Sequence, residues 1–106
     1  MKAAVLYEVN KPLVIENVDV KKPGPREVLI EVKAAGMNFR DVLKALALYP
    51  GEAPDARIFG DEVAGVVAAV GADVTHVKPG DRVFGIAAFG LATHTLARAG
   101  DVRRIP

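Results

Sequence analysis

No cysteine and no tryptophan occur in the 106 residues, and there are only two histidines, His76 and His94. Without cysteine there are no disulfides, no thiolate nucleophile and no sulfur-ligated zinc. A zinc site needs about four convergent ligands, and two separated histidines do not supply them, so metal catalysis is not expected. Charge of one sign is also missing. Fourteen basic residues face 13 acidic ones for a net charge of +1, scattered along the chain, so no field favours nucleic acid or an anionic membrane as a partner. Long apolar runs are absent too. The opening MKAAVLYEVN carries Lys2 and Glu8 around a few apolar residues, far short of a secretory core or a spanning helix, and a cytoplasmic location is the expectation. What remains is ordinary for a folded chain: 51% hydrophobic and 25% charged residues, in a length that buries roughly 60 to 70% of its unfolded surface around one core.

Short runs rich in Val, Ile and Leu alternate partly with charge from Lys2 to Tyr7, from Leu13 to Val20 and from Glu27 to Val32, and each is read as a strand. Asn10-Lys11-Pro12 and Lys22-Pro23-Gly24-Pro25 break them as hairpin or loop connections. After Gly36 the period changes. Phe39, Val42, Leu43 and Leu46 share one helical face, Asn38 can cap the start, and Pro50-Gly51 ends the helix near Tyr49. Glu62 to Val70 is nearly all small or β-branched, which fits a strand buried on both faces. Lys78-Pro79-Gly80-Asp81 has the central residues of a type II turn and leads into a strand at Arg82 to Gly85. Two further short strands follow, at Thr93 to Leu96 and Val102 to Ile105. The pattern predicts a mainly β domain with one short helix, barrel-like rather than a parallel α/β sheet.

Three motifs in this order resemble the catalytic domain of medium-chain dehydrogenases and reductases: Ala35-Gly36-Met37-Asn38-Phe39-Arg40-Asp41, Gly60-Asp61-Glu62-Val63-Ala64-Gly65-Val66-Val67 and Lys78-Pro79-Gly80-Asp81-Arg82-Val83. The opening Met1-Lys2-Ala3-Ala4 is similar as well. The resemblance implies a GroES-like, partly open and incomplete β-barrel. It also implies a zinc-free branch, because Asn38 stands where zinc enzymes carry a cysteine ligand and Asp61 where they carry a histidine. The stretch Gly36 to Leu43 with Tyr49-Pro50-Gly51-Glu52 resembles quinone oxidoreductases and the enoyl reductase domains of polyketide synthases. Met1 to Gly24 is closer to a zinc alcohol dehydrogenase start, and Asp61 is not the small residue enoyl reductases carry, so a chimeric or designed origin is a second reading.

The family implies a parent enzyme that passes hydride from NADPH to an enoyl, enone or quinone substrate. Its pyrophosphate loop, a Gly-rich turn between a strand and a helix, has no counterpart here: no G-x-G-x-x-G occurs, and Gly60, Gly65 and Gly71 lie in or beside an apolar strand. Residues 1–106 are therefore expected to be a single GroES-like domain lacking the Rossmann domain and the C-terminal barrel segment. By itself it should bind no cofactor and have no reductase activity, and its expected partners are a second copy of itself or the missing Rossmann domain. By resemblance Asn38 and Phe39 face the cofactor and Tyr49 the substrate. The plainer readings are a helix cap for Asn38, core packing for Phe39 and a packed ring for Tyr49. Asp41, Asp61 and Glu62 are expected in ion pairs with Arg40 and Arg57 rather than in acid–base work, His76 in a solvated turn, and His94 among threonines. A second function class is a self-associating structural module, since the barrel resembles the GroES co-chaperonin. Glu52 to Arg57 is too short and polar for the mobile apolar loop a co-chaperonin needs.

Overall fold

A computed structural model describes residues 1–9, 11–46, 59–87 and 89–106, with Lys44 by its backbone only. Strand β1 (Lys2–Val5) pairs antiparallel with β2 (Val14–Asn17) as a two-stranded sheet. A five-stranded antiparallel sheet has the order β6-β3-β4-β5-β7, where β3 is Glu27–Gly36, β4 Glu62–Val70, β5 Arg82–Ile86, β6 His94–Arg98 and β7 Val102–Arg104. Helix α1 (Phe39–Ala45) follows β3, and a 3₁₀ turn (Ala99–Asp101) joins β6 to β7. The two sheets meet through a bridge between Ala3 and Ala92, with Ala4 N–H donating to Leu91 O at 3.0 Å and Thr93 N–H to Lys2 O at 2.8 Å. They stay open and do not close into a barrel, so the domain is mainly β with one short helix and partial GroES-like geometry.

Alternation along the strands builds the core. Val28 and Ile30 from β3, Val63 and Val67 from β4, Val83, Ala97 and Val102 point to one side and are buried, with Val77 and Ala87. Strand β4 corrects the expectation of burial on both faces: Val63, Gly65 and Val67 are buried, while Glu62 and Ala68 are exposed. Its small residues serve close strand approach rather than two apolar layers. Strand β3 runs on to Gly36, beyond the Val32 expected from sequence, because its last residues pair with the start of β4: Ala34 with Ala64, Ala35 with Val63 and Gly36 with Glu62. Bulges between Leu29 and Ile30 and between Val32 and Ala34 take up the register.

The type II turn forms as expected. Asp81 N–H donates to Lys78 O at 3.1 Å, and Gly80 has φ +93°, which a side chain would strain. The Asp81 carboxylate accepts from Lys78 N–H at 3.0 Å, and the Lys78 backbone bond followed by its charged amine holds that carboxyl below its ordinary pKa.

Thr95 is fully buried between core neighbours, and its hydroxyl has no hydrogen-bond partner among the described residues. Thr95→Val, which replaces that hydroxyl by a methyl group of similar shape, is expected to stabilise the chain by about 1 kcal/mol. Thermal unfolding should show a midpoint higher by roughly 4 to 8 °C.

Candidate functional site

The site is the corner where β3 leaves the sheet, α1 begins and β4 enters. Asp41 organises it. This carboxylate is 3% exposed and reaches back from the first turn of α1, accepting from Asn38 N–H through Oδ2 at 3.0 Å and from Gly60 N–H through Oδ1 at 3.0 Å. One side chain thereby ties the helix start to the chain entering β4. Gly60 in turn accepts from Gly90 N–H at 2.7 Å, and Phe59 O from Leu91 N–H at 3.0 Å, so the approach to β4 is laced to the segment before β6.

Asn38 sits at the cap position, but in the bond that closes the helix start its main-chain N–H donates to the Asp41 carboxylate. The Asn38 amide instead donates from Nδ2 to Glu62 Oε1 at 3.3 Å. The expected cap role thus passes to the third helical residue, the reciprocal half of a capping box. The spacing Asn38-x-x-Asp41 is the signal that was available in the sequence. Arg40 Nη1 pairs with Asp61 Oδ1 at 2.7 Å, both side chains partly buried, as the ion-pair reading expected. Arg57, its second expected cation, and Tyr49 lie outside the described residues.

Phe39 is not in the core. It is 74% exposed, and Met37 before it is 71% exposed. Helical periodicity gave Phe39 an inward face, but α1 is only seven residues long and turns Asp41 inward, which rotates Phe39 to the surface. Val42 and Leu46 are also more than 40% exposed. They border an apolar hollow of about 250 Å³ with Met37, Leu6, Leu13 and Phe59.

On the other side of Gly36 lies an open cleft of about 630 Å³, lined by Gly36, Glu62, Phe84, Ile86, Asp101 and Arg103. Phe84 and Ile86 project from β5 opposite the buried Val83 and are 49% and 60% exposed. Strand parity around Val83 places them on the outer face. The two histidines lie apart from this corner. His76 is exposed and donates from Nε2 to Val102 O at 2.9 Å. Thr93 Oγ1 accepts from Lys2 N–H at 3.0 Å and is hydrogen-bonded to His94 Nδ1 at 3.1 Å.

Chemically, the corner offers exposed apolar and aromatic surface, one primary amide and a rim of carboxylates. No group of three or more potential metal ligands exists among the described residues. None of the described helices is long and apolar enough to cross a membrane.

The sequence profile of the alcohol dehydrogenase GroES-like domain matches residues 24–102. The pikromycin polyketide synthase component PikAII of Streptomyces venezuelae is 48% identical over 83 residues, covering 78% of this chain and 2% of its own length. The crystal structure of CurK enoyl reductase superposes with a TM-score of 0.88 at 33% identity, over 99% of this chain and 35% of that one. Escherichia coli quinone oxidoreductase, solved with NADPH, superposes with a TM-score of 0.88 at 27% identity over 100% of this chain and 33% of that one. The chain thus spans about a third of the solved relatives and a small part of the synthase.

Proposed function

Because this chain belongs to the alcohol dehydrogenase GroES-like domain family, within the medium-chain dehydrogenases and reductases, we propose that it is the substrate-side domain of a zinc-free, NADPH-dependent reductase of enoyl, enone or quinone compounds. Likeness to an enoyl reductase and to an NADPH-bound quinone oxidoreductase supports the substrate class and the cofactor. The observation that carries the reading is the uncharged surface of exposed Phe39 and Met37 and half-buried Asn38 beside carboxylate groups.

That surface suits one end of the cofactor and not the other. The start of α1 already holds the Asp41 carboxylate, and Glu62 stands next to it, so phosphate groups meet negative charge where they would need donors. A neutral nicotinamide ring and a substrate carbonyl fit the corner, and the pyrophosphate belongs on another domain. The nicotinamide, when bound, supplies the hydride. Phe39 covers an apolar ring and excludes water, and the Asn38 Nδ2 donor can turn from Glu62 to a carbonyl oxygen. The Tyr49 hydroxyl is assigned to the substrate side by resemblance, donating a proton or hydrogen bond to the substrate oxygen. The sequence carries no G-x-G-x-x-G loop, and we expect neither NADPH binding nor reductase activity from the chain by itself. A cytoplasmic location is part of the same reading.

The test is to graft the chain in place of the corresponding domain of Escherichia coli quinone oxidoreductase and to follow NADPH oxidation with a quinone and an enone. Turnover is expected, with Asn38→Ala, Phe39→Ala and Tyr49→Phe each lowering kcat/KM about tenfold, a loss near 1.4 kcal/mol. A folded graft that binds NADPH and reduces neither substrate, or variants with full turnover, would count against the assignment. Calorimetric titration of the ungrafted chain with NADPH should give no binding heat.

A further inference from the structure

The five-stranded sheet ends in two unlike edges. At β7 the outward groups of Val102 are taken: its carbonyl accepts from His76 Nε2 at 2.9 Å and from Arg103 Nη1 at 3.0 Å, and its N–H donates to Ala99 O. At β6 the ladder fixes which residues face out. Ala99 N–H donates to Arg26 O at 2.8 Å and Val32 N–H to Thr93 O at 2.9 Å. With the register of Val28 on Ala97 and Ile30 on Thr95, the main-chain groups of Thr95 and Ala97 turn toward β3. Those of His94, Leu96 and Arg98 turn outward and have no hydrogen bond among the described residues. An open row of strand donors and acceptors is a template for another strand.

We propose that the chain associates with a second copy of itself through β6, the two strands pairing antiparallel about Leu96. The outward residues then form doubly hydrogen-bonded pairs, Leu96 with its counterpart and His94 with Arg98. One feature makes the edge self-complementary. Leu29 lies opposite Leu96 within one copy, so the pairing continues this apolar row as Leu29, Leu96, Leu96 and Leu29 across the two copies on one face. Glu31 lies opposite His94 and Glu27 opposite Arg98, so the flanking row runs Glu31, His94, Arg98 and Glu27, with a carboxylate at each end. The seam is short, and the dimer should be a weak one that forms with rising concentration.

Sedimentation velocity of the 106-residue chain from micromolar to millimolar concentration tests this. The wild type should shift from monomer to dimer. Leu96→Pro removes an outward N–H and no internal bond, and Leu96→Lys sets two like charges at the two-fold centre. Both variants should stay monomeric, with a near-native circular dichroism spectrum. A wild type that is monomeric throughout, open-ended aggregation in place of a closed dimer, or undiminished dimer in both folded variants would overturn the proposal. If Leu96→Pro fails to fold, Leu96→Lys decides by the same criterion.

Discussion

Gly65→Ala is expected to cost the chain about 3 kcal/mol of folding stability, the upper end of the usual cost of overpacking. A Cβ on Gly65 would fall on the Glu31 carbonyl oxygen of β3, inside any tolerable contact, with Ile30 Cγ2 only 2.9 Å away. The obstacle is main chain in the central strand pair of the sheet, where Gly65 sits opposite Val32 beside a bulge, so no side chain can rotate aside. Relief requires β3 and β4 to separate along the pairing that carries the core. Thermal unfolding should show a midpoint lower by roughly 12 to 24 °C at that cost. A midpoint within a few degrees of wild type would mean that β3 and β4 move apart freely.

Asp41→Ala carries the second large effect. It strips the acceptors from the Asn38 and Gly60 amides, the latter in a buried residue, and an unsatisfied buried donor costs about 1 to 3 kcal/mol. A loss of about 2 to 4 kcal/mol is expected in denaturant unfolding. The damage should also be local: hydrogen exchange at the Asn38 and Gly60 amides should accelerate more than at Val28 or Ile30. Uniform acceleration would show that Asp41 stabilises the fold without defining the corner. Since that corner holds the proposed cofactor-facing residues, the same variant in the grafted enzyme should lose turnover together with local order.

Much of the architecture could be read from the chain. Partial alternation, β-branched composition and Pro and Gly breaks located the seven described strands to within a few residues, because residue type and turn chemistry are local properties. The Pro79-Gly80 turn was legible for the same reason, being a demand on two backbone conformations. Three ordered motifs carried the family, and the missing cysteine and the presence of Asn38 and Asp61 carried the zinc-free reading. The chemistry of the corner was less legible. Phe39, Val42 and Leu46 fit a helical face, but which side of a seven-residue helix is buried depends on what it packs against, and here Asp41 takes the inner position.

The sequence by itself thus determined the strands, the turn, the family and the absence of sulfur chemistry, each of which rests on residue type and near-neighbour spacing. Tertiary structure alone decided that β4 is buried on one face, that Asp41 joins α1 to Gly60, that Phe39 faces out, and that His76 and Arg103 bond the Val102 carbonyl of β7 while the outward groups of β6 stay unbonded among the described residues. Those outcomes follow from contacts between segments far apart in the chain, where burial and hydrogen-bond satisfaction are settled by pairing register rather than by local preference.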